Sequence, residues 1–123
     1  MTVLIETNHP GAFLVSEAHG QRSRDNITIA GGAGMVSPGS VLGRVTATGK
    51  YVVSAVGATD GSQTPAAINI YGADASAADA KVSAIVRDAE VNSHCLVYHA
   101  DRDQLAEKAA AHDALKSLGI IVR

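Results

Sequence analysis

Tryptophan is absent from this chain, cysteine occurs once, and only four residues are aromatic: Phe13, Tyr51, Tyr71 and Tyr98. Each scarcity removes a class of reading. With Cys95 alone no intrachain disulfide can form, so the chain suits a reducing compartment or is indifferent to one, and a small buried thiol is the plain reading of that residue. Four rings leave almost nothing on which unpaired bases could stack, and a formal net charge of −2 with both signs interspersed gives no footprint for a phosphate backbone. Direct nucleic-acid binding is not expected. No apolar run approaches the ~20 residues that a membrane helix requires, and Met1–Glu6 lacks a basic leader, so a soluble, untargeted protein without a membrane partner is expected.

What is present is enough for one domain, since a chain of 123 residues buries roughly two thirds of its unfolded surface. Residues 1–26 hold two short apolar clusters, Val3-Leu4-Ile5 and Phe13-Leu14-Val15, parted by the breaker Asn8-His9-Pro10-Gly11. Neither cluster is long enough to fold alone, so this segment either tucks under a domain or leaves it as an extended arm. From Ile27 to the end at Arg123 the texture is that of a β-rich domain. Ile27-Thr28-Ile29, Val41–Val45 and Lys50–Val53 read as strands, with Ser37-Pro38-Gly39-Ser40 as a type II turn and Thr48-Gly49 as a hairpin corner. Ala67–Tyr71 is expected to be a strand with Ile68 and Ile70 inward and Asn69 outward; a strand over Ala80–Ala89 and another over Cys95–Tyr98 follow, with Ala73–Asp79 as loop between. One helix is expected from about Arg102 to Leu118, capped by Asp101 or Asp103, with Leu105, Ala111, Leu115 and Leu118 as its apolar stripe and Gly119 as its stop; Ile120–Val122 then closes the chain as a strand.

The candidate chemistries each lack a part. Gly43–Gly49-Lys50-Tyr51 has one residue too many for a phosphate loop, offers Tyr51 where the magnesium hydroxyl belongs, and runs into a strand instead of a helix. Gly31-Gly32-Ala33-Gly34 starts like a dinucleotide fingerprint but reaches Ser37 at its third glycine position. Ser16, Glu17 and His19 are hydrolase residue types placed side by side in sequence, not across a fold, and Gly39–Gly43 misses the spacing of a nucleophile elbow. His94, Cys95 and His99 are too few for a structural zinc site, and on a strand the two imidazoles would face opposite ways. Asp101 and Asp103 are explained by the helix start. Arg22 and Arg24 would share one side of a strand and point to a carboxylate, either within the fold or on a partner. No catalytic residue, metal site or cofactor is expected, and the function is read as residing in a surface.

The segments 11–34 (GAFLVSEAHGQRSRDNITIAGGAG), 37–52 (SPGSVLGRVTATGKYV), 58–61 (ATDG), 80–91 (AKVSAIVRDAEV) and 118–123 (LGIIVR) together resemble the head decoration proteins of tailed bacteriophages, the lambda type of capsid cement protein. The order is the family's along nearly the whole chain. Where family members often carry Trp-Pro before the last helix, this chain has Tyr98-His99. The resemblance implies a mainly β (α+β) fold of the β-clip or β-tulip kind, with an extended amino-terminal arm and one carboxy-terminal helix. It implies a homotrimer on the outer surface of the virion capsid, made in the host cytoplasm and seated at three-fold and quasi-three-fold positions of the expanded head. There it would bind the major capsid protein and stabilise the shell against the pressure of packaged DNA. Val3, Leu4, Ile5, Phe13 and Leu14, with Arg22 and Arg24, are the expected capsid-binding side chains. The competing readings are a small-molecule or carbohydrate-binding accessory β domain, which the shortage of rings disfavours, and an enzyme built on His19, His94 or His99.

Overall fold

The structure is a computed structural model and describes residues 2–123; Met1, the first residue of the expected arm, lies outside the described residues. The ten strands are β1 (Leu14–Glu17), β2 (Arg24–Ile29), β3 (Gly34–Val36), β4 (Val41–Arg44), β5 (Tyr51–Val53), β6 (Pro65–Asn69), β7 (Ala73–Ala75), β8 (Ala80–Ile85), β9 (Ala89–Val91) and β10 (Ile120–Val122), with the helix α1 (Leu105–Lys116) before the last. The fold is mainly β with one helix near the carboxy terminus, as expected. Strands β2, β5, β4, β6 and β8 close into a barrel, β1, β9 and β10 make a second sheet, and β3 pairs with β7 as a two-stranded ribbon.

Two cores follow from this arrangement. The barrel interior is filled by Ile27, Ile29, Leu42, Val82, Ala67 and Ala84, and a barrel of only five strands has room for small residues such as these alanines. The second core lies between the three-stranded sheet, α1 and the outer face of β6, where Phe13, Val41, Ile68, Ile85, Leu115 and Ile120 meet. The strand period of two divides the apolar residues between the cores. Val82 and Ala84 point into the barrel while Ile85 joins the other side; Leu42 is inside and its neighbour Val41 outside.

Local chemistry sets the turns. Ser40 donates to the Ser37 carbonyl and Gly39 sits at φ +82°, the left-handed value the Pro38-Gly39 turn requires. The β4–β5 corner is held by Val45 and Lys50, with the Gly49 amide donating to Val45. Gly43 is glycine for a different reason: a Cβ there would overlap the Ser62 carbonyl, which packs directly on the strand.

The structure departs from the sequence expectations at several places. The expected strand over Ala80–Ala89 is two strands, broken where Val86 donates to Ser23 and Asp88 adopts φ +50°, so that β8 stays in the barrel and β9 crosses to the second sheet. Ala73–Ala75 is a strand, because β3 offers it a partner that its alanine content does not advertise. Cys95–Tyr98 is not a strand; Ser93–Cys95 is a single 3₁₀ turn capped by the Asn92 side chain, and only Val97 makes a bridge, to Ser40. Asn69 is buried like its neighbours, since its side chain satisfies Ser40 N–H and the carbonyls of Ser37 and Tyr71. The helix starts later, with Glu107 accepting from the Gln104 amide, and Leu105 is exposed instead of joining the buried stripe of Ala111 and Leu115. Lastly, the segment 1–26 is not all arm: β1 and the first residues of β2 lie in it, and the stretch without regular structure is 2–9.

Gly43→Ala is expected to lower the unfolding free energy by about 2 kcal/mol or more, read by urea denaturation, because backbone rather than a flexible side chain must give way.

Candidate functional site

The place where the irregular segment 2–9 joins the folded body is built by a few bonds. Asn8 Nδ2 donates to the Cys95 carbonyl at 2.9 Å, and the Gly11 amide donates to Ile70 at 3.1 Å. Gly11 adopts φ +71°, which turns the chain inward, and the amides of Ala12 and Leu14 close the turn on His9 and Gly11. Phe13 then enters the second core with 1 % of its surface exposed, and its carbonyl accepts from Asn92 at 2.7 Å. The structure therefore places Phe13 inside its own domain, which removes it as a free anchoring side chain; Leu14 packs partly buried against the same core.

Upstream of this root the arm presents Val3, Leu4 and Ile5 at 77, 89 and 86 % exposure. Three aliphatic side chains in succession are largely exposed to water. Burying each fully is worth about 1.5–3 kcal/mol, against about 1–2 kcal/mol per residue for fixing the backbone, so the gain becomes net only on a partner surface already formed. Glu6 and His9 approach to 3.6 Å, both well exposed, a contact that contributes little.

Arg22 and Arg24 are both paired within the chain. Arg24 grips Glu17 with two bonds, Nε to Oε2 at 2.8 Å and Nη2 to Oε1 at 2.7 Å, while Arg22 reaches Asp88 at 3.5 Å from a mostly exposed position. The Arg24 hydrogen bond holds the Glu17 carboxyl below the usual glutamate value, against a smaller opposing effect of burial. Arg24 thus ties β2 to β1 and is already spent in that role; Arg22 is the looser of the two.

The residues weighed for chemistry are dispersed or engaged. Glu17 belongs to Arg24, and His19 stands exposed in the turn that follows β1. The glycine-rich turn after β2 gives its Gly31 amide to Asp79, whose carboxyl is lowered first by the hydrogen bond from Lys50 and then by that amide, so the turn and its lysine hold a carboxylate of the chain itself. His94 is exposed, Cys95 half-buried, and His99 lies 2.9 Å from Asp101. Among the described residues no three His, Cys, Asp or Glu side chains stand close enough to hold a metal ion. Asp101 is not the helix cap; it accepts from the Val56 and Gly57 amides, and the Val56 bond is the main reason its carboxyl lies below the ordinary value. Among the described residues no helix is long and apolar enough to cross a membrane.

Sequence reasoning missed a recess beside the root of the arm, lined by Tyr98, Leu105, Ala109 and His112 together with His94 and Lys108. The signal was there to be read: 105, 108, 109 and 112 repeat at helical spacing, on a face other than that of Ala111 and Leu115. It also missed Arg102, whose guanidinium is buried and bonded to Ser54, Gln63 and Glu107.

Compared with known proteins, residues 3–120 match the sequence model of the family described as bacteriophage lambda head decoration protein D. No curated protein matches the chain.

Two expectations follow from this geometry. Phe13→Ala should cost about 3–5 kcal/mol in denaturant unfolding, the usual loss for a large side chain removed from a core. Glu17→Gln should cost less than ~1 kcal/mol at neutral pH, because the ion pair is partly solvated. Because the folded state lowers the Glu17 carboxyl, the wild-type advantage is present above the ordinary glutamate range and fades as pH falls through the depressed value; urea midpoints of the two proteins from pH 7 to pH 2 should converge.

Proposed function

The chain belongs to the bacteriophage lambda head decoration protein D family, and from that premise we propose that it sits as a homotrimer at the three-fold and quasi-three-fold positions of the expanded head, bound to the major capsid protein through its arm. A head decoration protein is a component of the virion capsid, and the role is a structural one. The proposal adds the seat, the outer face of the shell, the oligomer and the stabilising effect.

The observation that supports it is the run Val3-Leu4-Ile5, exposed upstream of a rigid root. An extended apolar segment of this kind adds a strand to an open sheet edge: main-chain hydrogen bonds supply affinity, and alternate side chains supply fit. In a trimer the same weak contact is made three times from one body, so the effective concentration of the second and third arms multiplies the first. If the seat is complete only in the expanded shell, binding favours that state by the difference in affinity, and the shell is stabilised without any reaction. Val3, Leu4 and Ile5 are the proposed anchors. Arg22, mostly exposed and held only by a long contact, is the basic residue free to exchange Asp88 for a carboxylate of the shell. Phe13 and Leu14 fix the root, and Arg24 braces the strand behind it.

The test is removal of residues 2–7, which leaves Asn8, Gly11 and Phe13 in place. Affinity for purified expanded shells should fall about 100-fold or more in co-sedimentation, two decades corresponding to roughly 2.8 kcal/mol, with the thermal unfolding midpoint unchanged. Undiminished binding by the shortened protein would remove the arm from the mechanism.

A further inference from the structure

The recess at α1 lies next to the root of the arm. His94, which lines it, precedes Cys95, whose carbonyl takes the Asn8 side chain, so the arm leaves the body within two residues of the recess wall. On α1, Leu105, Lys108, Ala109 and His112 occupy positions i, i+3, i+4 and i+7, one face of the helix, while Ala111 and Leu115 turn to the core. The helix therefore has a second, partly apolar face that does not pack on the core. Leu105 on the second is 86 % exposed.

The polar groups of the recess are arranged so that an apolar guest displaces little. Tyr98 Oη and His112 Nε2 are 2.6 Å apart and share a hydrogen bond, and burial pushes the His112 imidazole toward its neutral form, in which one ring nitrogen is an acceptor. Tyr98 Oη and His112 Nε2 keep each other as partners when water leaves. The cation of the recess is Lys108, whose ammonium stands 5.3 Å from the centre of the Tyr98 ring. Among the described residues no carboxylate lies within ion-pair distance of Lys108, and no acidic side chain lines the recess. Glu107, its sequence neighbour, is turned to the Gln104 amide.

We propose that this recess is a second docking point for the shell, receiving an apolar side chain flanked by a carboxylate from the same shell subunit that the arm engages. The inference rests on the reading given under Proposed function. Its occupant is indicated by charge and by place: an apolar floor beside an unpaired ammonium takes an acidic-apolar segment, and the recess continues the surface from which the arm extends. Leu105 and the Tyr98 ring supply the apolar contact, and Lys108 the charge. The arm gives reach, since the five steps from Asn8 to Val3 extend at most ~17 Å. The recess then fixes the orientation of the body on its seat.

The test uses the full-length protein and purified expanded shells, with Leu105→Asp and Lys108→Glu as variants. Leu105 is so exposed that its replacement leaves the fold intact, which unfolding midpoints check. Expected are a loss of about tenfold or more in shell affinity for Leu105→Asp, and a loss of several-fold for Lys108→Glu with a weaker dependence on salt. Wild-type affinity in both variants would overturn the inference and leave the arm reading standing. Failure of the unaltered protein to bind any shell would overturn both. If instead the variants bind shells normally but lose self-association in sedimentation equilibrium, the recess belongs to a second copy of this chain, whose own Val3–Glu6 segment has the same acidic-apolar chemistry, and the shell assignment is wrong.

Discussion

The burial of Phe13 is the contact on which the rest of this molecule depends. Phe13 fixes the chain end of the amino-terminal segment: its ring lies in the core shared by the second sheet and the helix, and its carbonyl is bonded to Asn92. Gly11 makes this possible by turning the chain at a left-handed φ, and the Asn8 side chain holds the last point before the arm goes free. Three residues thus convert a continuous polypeptide into a body and an arm.

Behind the root, stiffness comes from satisfied polar groups in the interior as much as from apolar packing. Asn69 joins the Ser37–Ser40 turn to β6 through bonds from both ends of its amide. Arg102 brings a guanidinium inside without any carboxylate, using the carbonyls of Ser54, Gln63 and Glu107 and the Ser54 hydroxyl; a loop of the barrel and the start of α1 are thereby held by one side chain. Among the described residues no buried side-chain nitrogen or oxygen lacks a partner. Such networks are costly when broken and rigid when complete. A rigid body suits a protein proposed to resist deformation of the surface it covers, because a compliant one would absorb strain locally instead of sharing it among the subunits it touches.

Much of this was legible in the sequence, and the failures have physical causes. Strands bounded by strong turn chemistry, such as the β4–β5 hairpin at Thr48-Gly49 and the Pro38-Gly39 turn, were readable because Gly and Pro restrict the backbone locally. The family was readable from ordered short motifs, and the match over residues 3–120 agrees with it. What was not readable depended on partners distant in sequence. Asn69 looks like a solvent residue until the Ser37–Ser40 turn packs on it from 29 to 32 residues away. The break at Val86–Asp88 follows from Ser23, 63 to 65 residues earlier, and nothing in Ala80–Ala89 itself announces it. Phe13 and Val3 look alike as apolar residues near the amino terminus; only the core shows that one is anchored and the other exposed.

The central claim is that this protein covers a particular state of a particular surface, and stoichiometry on that surface tests it most directly. Unaltered protein would be mixed with unexpanded and with expanded shells of the source phage, and the copies retained per shell subunit counted at saturation. Saturation near one copy per subunit on expanded shells, with none on unexpanded ones, is the expected result. Equal occupancy of both shells, or a ratio far from one, would contradict the three-fold seat and the state-selective stabilisation that follows from it.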